Sequence, residues 1–177
     1  MATAYLKKAQ SGRSMIEMLG VLAIVGVLSA GGVAGYSMAM QTYKTNQLIE
    51  KIQIIATQAR AVYKGYYNGI TKNNLINSGK LKSSDFDCPF GGRLGINNSG
   101  GSSKDIAFRI STPYNLPSEA CTEILTANWG DEGVFVGIDV DENVFSFYYK
   151  KGNYPIALST AVSICSTPGR EIELFFK

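Results

Sequence analysis

The sequence contains a run of twenty-six residues without a charged side chain, from Met18 to Tyr43. As an α-helix this run is about 39 Å long, whereas the hydrocarbon core of a bilayer is about 30 Å thick. A helix that is apolar on every face is stable in lipid or inside a larger assembly. The run therefore predicts a helix that spans a membrane or lies in the core of a polymer.

Basic residues precede this run, and one carboxylate stands at its start. Lys7, Lys8 and Arg13 favour a cytoplasmic N-terminus, which places the residues after the helix outside the cell. A charge such as that of Glu17 costs about 2.5–3.5 kcal/mol at a bilayer centre and less near the edge. A simple anchor has no use for this carboxylate, so we expect Glu17 to have a cationic partner.

Two simpler interpretations of the N-terminus stay open. The run Met18 to Tyr43 is long enough to serve as an ordinary single-pass anchor. A secretory signal peptide is the other alternative, with Leu28-Ser29-Ala30 as a small-residue cleavage site. Against the signal peptide, the apolar run exceeds the usual length of about 7–15 residues, and Glu17 interrupts its start.

The segment from Lys7 to Glu17 resembles the class III signal of type IV prepilins. It has a short basic leader, a glycine at the cleavage position and a glutamate as the fifth residue after it. The resemblance implies that a prepilin peptidase cuts between Gly12 and Arg13 and that the new amine is methylated, although Arg13 stands where these signals usually carry Phe or Met. It also implies the domain organisation: 1–12 cleaved leader, 13–43 transmembrane and fibre-core helix, 44–177 globular pilin head.

Within this resemblance, the tract from Gly26 to Gly32 is similar to the type IVb branch. Many type IV pilins carry a proline where this chain has Ala34, and no proline occurs in the predicted helix. Each glycine weakens a helix by roughly 0.5–1 kcal/mol relative to alanine. The hypothesis is that Ser29 to Gly35 melts locally during assembly, while close packing of helices is the simpler use of these glycines.

The resemblance also supplies a partner for Glu17. In a fibre of parallel helices, the mature amine of Arg13 enters an apolar core as a cation and must be paired. Glu17 of a neighbouring subunit lies four residues further along and offers the opposite charge. A misplaced subunit would leave both charges uncompensated, so this assembly salt bridge would fix the stagger between subunits.

The helical pattern continues beyond Tyr43 and becomes amphipathic. Asn68-Gly69 is a typical stop signal, so we expect one helix from Ser14 to Tyr67, about 80 Å long. Apolar residues at three- and four-residue steps predict its buried face: Leu48, Ile52, Ile55, Ala56, Ala59, Val62, Tyr63 and Tyr66. This face needs the rest of the head to pack against.

The rest of the chain predicts short strands and helices around turn signals. Residues 70–104 are expected to form a polar connection with a short helix at Asn73 to Ser78, and with a turn at Gly91-Gly92 that enters a strand. The other expected strands are Ile106 to Ile110, Val134 to Val140, Val144 to Lys150 and Ile172 to Phe176, and the other expected helices are Leu116 to Asn128 and Pro155 to Cys165. This order predicts an α+β fold, with a mostly antiparallel β-sheet packed on the long helix.

The chain has three cysteines, Cys88, Cys121 and Cys165. An exported domain meets an oxidising compartment, so a disulfide is plausible, and the odd count leaves one thiol over. The resemblance to type IVb pilins implies that Cys121 and Cys165 form the disulfide and bound a C-terminal lobe. Cys88 is then the free thiol, although pairings that use Cys88 stay open.

No arrangement of residues typical of an enzyme or a metal site occurs in the sequence. The chain has no histidine, which removes the commonest general base and metal ligand, and we expect no catalytic residue, metal or cofactor. Asp139, Asp141 and Glu142 lack the spacing and the glycine of an EF-hand loop, so a solvated hairpin tip is expected there. The net charge of +3 is no electrostatic footprint for nucleic acid.

The predicted function is that of a structural subunit of a bacterial type IV pilus. The expected partners are other copies of the chain, the prepilin peptidase, an inner-membrane assembly machinery and the membrane before assembly. The expected location is the inner membrane for the precursor and an extracellular fibre afterwards, for adhesion, cell contact or conjugation. The alternatives are a minor pilin, a secretion-system pseudopilin, or a membrane-tethered binding module that never polymerises.

Overall fold

The computed structural model describes residues 15–98, 107–130, 134–141, 149–150, 156–167 and 169–177. The predicted leader, the cleavage position at Gly12 and Arg13, and the residues Ile106 and Glu142 lie outside this part. The chain divides into two compact units, Met1–Met40 and Gln41–Lys177, and each is described by itself.

The first helix, α1, spans Met15–Tyr63. The described residues of the first unit are all helical, including the segment Ser29 to Gly35 that is predicted to be weak. Glu17 lies in the first turn, where a negative charge interacts favourably with the helix dipole. The helix in this unit therefore forms without help from packing within the chain.

The predicted end of the long helix at Tyr67 is wrong by one turn. Lys64 has a φ of 50° and Gly65 a φ of 91°, so the backbone turns into the left-handed region immediately after Tyr63. The Lys64 amide still donates to the Arg60 carbonyl oxygen (2.8 Å), as in a left-handed helix cap. Gly65 is the residue that permits this early turn, since it has no Cβ to clash there.

Within the second unit, one face of α1 is buried in the core. Most of the predicted face is confirmed, and its fully buried members are Leu48, Ile52, Ile55, Ala56 and Ala59. Val62 and Tyr63 are half-buried. The prediction for Tyr66 is wrong: it is 58 % exposed, and the left-handed turn buries Tyr67 instead.

The connection after α1 is more ordered than the sequence predicted. Helix α2 spans Lys72–Asn77 and is capped by the Thr71 hydroxyl, which accepts from the Asn74 amide. A 3₁₀ turn follows at Ser83–Phe86, and the Gly91-Gly92 turn leads towards strand β1, Gly95–Asn98. The short helix and the turn into a strand are as expected, whereas the 3₁₀ turn was not predicted.

In the described part of the head, five antiparallel strands form one sheet. The other strands are β2 (Phe108–Ser111), β3 (Phe135–Asp141), β4 (Tyr149–Lys150) and β5 (Glu171–Phe176), and the order across the sheet is β1-β2-β5-β3-β4. The C-terminal strand β5 therefore lies in the centre, with β2 and β3 on its two sides. Antiparallel pairing of β3 with β4 agrees with the expected hairpin partners.

Alternate residues of the central strands enter the core. In β5, Ile172, Leu174 and Phe176 are buried, and Phe108 stacks on Phe176 with 5.6 Å between ring centroids. Tyr67 packs against Phe108 at 4.6 Å. The predicted α+β architecture, a long helix with a mostly antiparallel sheet, is confirmed.

Two short helices complete the head. Helix α3 spans Ser118–Thr126 and α4 spans Leu158–Cys165, both within the ranges that the sequence predicted. They pack against each other, and their inner faces bury Ala120, Ile124 and Ala161. Pro117 precedes α3 in extended backbone and Glu119 lies in its first turn, both of which favour helix initiation.

Candidate functional site

The first unit exposes a continuous apolar helix surface. Between half and five-sixths of each large apolar side chain is exposed in this segment: Met15, Ile16, Met18, Leu19, Val21, Leu22, Ile24, Val25, Val27, Leu28, Val33, Tyr36 and Met38. Among the described residues, α1 is the helix long and apolar enough to cross a membrane. An exposed apolar surface of this extent marks an interaction with a membrane or with protein.

Glu17 is the acidic residue of this segment. Its side chain is exposed and lies one turn before Val21 on α1. The proposed partner, the amine of Arg13 in a neighbouring subunit, lies outside the described residues. The geometry therefore places Glu17 at the start of the apolar surface, and its pairing across subunits stays a prediction.

The glycines of the apolar segment have no packing role within the chain. A Cβ atom added at Gly20, Gly26, Gly31, Gly32 or Gly35 would meet no atom within 4 Å, apart from the nearby backbone of α1 itself. None of these glycines has a positive φ that would require the residue. Neither space nor backbone conformation within the described chain requires glycine at these positions, so the two predicted uses, close packing with another helix and a locally weak α1, both stay predictions.

A disulfide joins α3 to α4. Cys121 and Cys165 are bonded, with their Cα atoms 5.8 Å apart, and both are buried. This is the pairing that the resemblance to type IVb pilins implied. A loop of 44 residues closed in this way stabilises the folded head by about 4 kcal/mol in the chain-entropy model.

Cys88 carries a free, buried thiol, and its backbone forms hydrogen bonds with Gly91 and Gly92 in the turn that follows it. Burial raises the pKa of this thiol, and the backbone hydrogen bond near Phe90 and the charge of Lys51 oppose that rise. A buried thiol with a raised pKa is a poor nucleophile, because the thiolate is the reactive form. Cys88 is therefore a packing residue in the folded chain.

Two cations on α1 hold the helix to the rest of the head, and the sequence did not predict this. Arg60 Nε donates to the Lys177 carbonyl oxygen (2.6 Å) and its Nη2 donates to the Val134 carbonyl oxygen (2.8 Å). Lys51 Nζ donates to the carbonyl oxygens of Ser84 (2.8 Å) and Asp87 (3.0 Å). Hydrophobic periodicity places such residues outside the buried face and gives no signal of hydrogen bonds to distant carbonyl groups.

Asp139 and Asp141 lie at the end of strand β3, where they are opposite Glu173 and Glu171 in the β3–β5 register. Their positions in a strand arise because β3 extends to Asp141. Glu142 and the turn that follows β3 lie outside the described residues, so the solvated hairpin tip stays a prediction. In the part of the chain that the structure describes, no group of three metal-ligating side chains occurs.

The sequence of the chain is similar to pilus subunits, although no protein-family model matches it. It is 29% identical over 153 residues to the major structural subunit of the bundle-forming pilus of Escherichia coli O127:H6, covering 80% of this chain and 78% of the relative. It is also 29% identical over 169 residues to the toxin coregulated pilin of Vibrio cholerae, covering 89% of this chain and 74% of the relative.

Solved structures show the same fold. The TM-score is 0.58 with TcpA, a type IV pilin from Vibrio cholerae El Tor biotype, at 19% identity over 76% of this chain and 99% of that one. It is 0.54 with the type IV b pilin from Salmonella typhi, at 20% identity over 73% and 97%. The chain therefore has the pilin fold, and its sequence is similar to pilus subunits.

The relatives are pilus subunits, which agrees with the prediction of a structural, non-enzymatic protein. The two features that stand out in this chain are the apolar first half of α1, which is long enough to cross a membrane, and the Cys121–Cys165 disulfide between α3 and α4.

Proposed function

We propose that this chain is the major subunit of a type IV pilus and polymerises through the first half of α1. The observation that carries the proposal is the exposed apolar surface between Met15 and Met38, which nothing in the described chain covers. One relative is the major structural subunit of the bundle-forming pilus and another is a pilin, which supports a fibre as the assembled form.

Before it joins the fibre, the subunit is inserted in the inner membrane. Lipid tails are as apolar as leucine side chains, so transfer of the helix from bilayer to fibre gains little hydrophobic free energy. Favourable assembly then depends on close helix packing and on pairing of charges, and extraction from the membrane needs an energy source. An ATP-driven assembly machinery in the inner membrane is the partner that this step requires.

The paired charges are Glu17 of one subunit and the mature amine of Arg13 of the next. In an apolar fibre core, removal of one member of such a pair costs about 3–5 kcal/mol because the other charge is left uncompensated. The pairing requires a free amine at Arg13, so a prepilin peptidase must first cut after Gly12. Cleavage is therefore coupled to assembly through the charge that it creates.

The direct test compares two acidic residues of the same helix. Glu17→Ala should be cut and inserted into the membrane like the wild type and should be missing from sheared surface fibres. Glu50→Ala is the matched control, since Glu50 is also an exposed glutamate of α1 but lies in the head. N-terminal sequencing of the wild-type fibre protein should begin at Arg13.

The outcomes separate the candidate functions. Normal amounts of Glu17→Ala in fibres would refute the charge pairing. A protein that is scarce in wild-type fibres would be a minor pilin or pseudopilin, and one that is absent from fibres would be a membrane-tethered binding module. An N-terminus at Met1 would show that the leader is a bare anchor.

A further inference from the structure

Two loops of the head lie side by side although they are far apart in the sequence. Asn115 Nδ2 donates to the Phe90 carbonyl oxygen (3.1 Å), across a sequence separation of 25 residues. The same amide group lies 3.4 Å from the position that a Cβ atom would take at Gly91. The first loop comprises residues 88–93 and the second comprises residues 113–116. We call them the paired loops.

The paired loops lie beside one particular level of α1. Lys44 Nζ is 5.9 Å from the centroid of the Phe90 ring, and Lys44 is half-buried. Lys51, two turns further along α1, donates to the carbonyl oxygens of Ser84 (2.8 Å) and Asp87 (3.0 Å). The chain that leads into the first loop is therefore held against α1 at Lys51 and reaches the level of Lys44 with Phe90.

Lys44 is the first charged residue after the apolar run Met18 to Tyr43. As a helix this run is about 39 Å long, whereas a bilayer is about 30 Å thick in its hydrocarbon core and about 40–45 Å with its headgroups. A bilayer that holds the run centrally therefore has Lys44 in its headgroup region. Phe90, which lies against Lys44, is then at or just above the same depth.

The chemistry at this level of the head fits a membrane surface. Tyr43 and Tyr114 are each 58 % exposed, and tyrosine is enriched where a protein crosses from hydrocarbon to water. The paired loops contain no carboxylate, and their one basic residue, Arg93, is bound to Asp87 (3.1 Å). Residues 44–93 contain eight basic and three acidic side chains, so this part of the head is attracted to an anionic surface.

We propose that the paired loops dock on the headgroups of the same membrane that holds the apolar run. The rings of Phe90 and Tyr114 lie among the headgroups, and the Lys44 ammonium binds the phosphate of an anionic lipid. The occupant is lipid because the loops lie at headgroup depth and carry aromatic rings beside a cation with no acid. The inference rests on the proposed function, since that function places the apolar run in the inner membrane before assembly.

A tryptophan at the paired loops tests their contact with lipid. The full chain is inserted into vesicles of phosphatidylethanolamine and phosphatidylglycerol with brominated acyl chains, which quench nearby tryptophan fluorescence. Phe90→Trp should add fluorescence that the brominated lipid quenches. Tyr66→Trp is the matched control, because Tyr66 is as exposed as Tyr43 but follows the other end of α1, whose last residue is about 28 Å beyond Lys44. Its added fluorescence should not be quenched.

A second pair of variants tests the charge. In the Phe90→Trp chain, Lys44→Gln should lower the ratio of docked to undocked heads by about fivefold, the usual contribution of one lysine at an anionic surface. Lys64→Gln is its matched control: it removes the same charge beyond the end of α1, several times the Debye length of about 8 Å from Lys44, and should change nothing. Phosphatidylcholine in place of phosphatidylglycerol should weaken docking as Lys44→Gln does.

Flotation with the vesicles shows insertion, and thermal unfolding shows that each head is folded. If Phe90→Trp disturbs the head, the exposed position of Tyr114 allows Tyr114→Trp to replace it. Absence of quenching in an inserted, folded chain would overturn the docking and leave the proposed function intact. Quenching that changes with the density of the chain in the vesicles would show contact with a second copy, which also overturns docking on lipid.

The role of the lipid phosphate is decided separately. Equal quenching in the Lys44→Gln and Lys64→Gln chains, or in the anionic and zwitterionic vesicles, would overturn it. A wild-type chain that does not float with the vesicles would instead refute the membrane step of the proposed function.

Discussion

The two units of this chain differ in how their residues are packed, although both include part of the same helix, α1. Leu22 in the first unit is 64 % exposed, whereas Leu48 in the head is 0 % exposed, although both are leucines of the same helix. Gly31 and Gly32 meet nothing within the chain, whereas Gly92 in the head packs so closely that a Cβ there would lie 2.9 Å from Pro113 Cβ. In the head, the burial of Leu48 and the lack of space at Gly92 are both explained by neighbours in the same chain.

The described part of the first unit is different. Its leucines, valines and isoleucines are all more than half exposed, and its acidic side chain, Glu17, is costly near lipid. A sequence whose local features conflict with a stable soluble chain indicates a functional surface, because such conflicts are retained where another molecule resolves them. The contacts within the chain that stabilise the fold therefore lie in the head, whereas the first unit carries the surface through which the proposed assembly takes place.

The sharpest test of this comparison makes the same substitution in both regions. Leu48→Ala should lower the free energy of unfolding of the head by about 2–5 kcal/mol, since it leaves a cavity in the core beside Ile52. Leu22→Ala removes the same atoms from an exposed position and should leave unfolding of the head unchanged. Thermal or denaturant unfolding of the full chain in detergent measures both effects.

In fibres, Leu22→Ala should be the variant that lowers stability through a lost contact between subunits. Leu22→Ala should reduce the resistance of purified fibres to heat or denaturant, because in the proposed polymer Leu22 is in the core. If Leu22→Ala destabilised the head as much as Leu48→Ala, the two regions would not be independent. If it left fibres unchanged, the apolar surface would not be the contact between subunits.

Much of this division was predictable from the sequence, and the misses have physical causes. The apolar run and the face from Leu48 to Ala59 follow directly from residue type and helical period. The end of α1 was missed because Asn68-Gly69 is a strong stop signal, whereas the actual turn uses Lys64 with a φ of 50°, which is uncommon for a residue with a Cβ. The hydrogen bonds of Arg60 and Lys51 were missed because they join residues far apart in sequence.

The disulfide and the role of Glu17 show a different limit. Three cysteines allow three single pairings, and residue spacing does not choose among them, so Cys121–Cys165 came from the resemblance to type IVb pilins. The proposed partner of Glu17 belongs to another subunit, so a single chain contains no geometry that tests the proposed pairing. The fold could therefore be predicted from the sequence better than the site could, because in the proposed polymer the site is completed by neighbouring subunits.

The effect of a glycine-to-alanine substitution on stability should have opposite signs in the two regions. Gly31→Ala and Gly32→Ala should each strengthen α1 by roughly 0.5–1 kcal/mol, because alanine loses less backbone entropy in a helix and has free space there. Gly92→Ala should destabilise the head by more than about 1 kcal/mol, since Gly92 has a φ of 78° and no room for a Cβ. Hydrogen exchange of α1 and thermal unfolding of the head give the two measurements.

The glycine pair also tests the predicted weakness of Ser29 to Gly35. If local melting of this segment is needed for assembly, the double variant Gly31→Ala with Gly32→Ala should keep a folded head and yield fewer fibres. Fibres in normal amount, with α1 continuous through the segment, would show that melting is not required. A destabilised head in this double variant would contradict the comparison itself.

The smallest expected effect is a pH dependence confined to the head. Burial raises the pKa of the Cys88 thiol above its ordinary value of about 8.5, so the folded head holds this proton more tightly than the unfolded chain. The stability contributed by the neutral thiol is fully present below the unfolded pKa. It is lost progressively as the pH rises from there through the folded pKa, with a slope of at most about 1.4 kcal/mol per pH unit.

Cys88→Ala isolates this contribution, because burial also raises the pKa of Tyr67 and the head has other groups that titrate at high pH. Below about pH 8 the difference in unfolding free energy between the wild type and Cys88→Ala should be constant. Above it, the difference should shift against the wild type, since only the wild type has a thiol that must stay protonated to remain buried. A constant difference up to pH 10 would mean that the Cys88 thiol loses its proton as easily in the folded head as in water. Cys88 would then be accessible to solvent in the folded head. The contrast between a buried core in the head and an exposed apolar helix in the first unit would not apply to the Gly91-Gly92 turn.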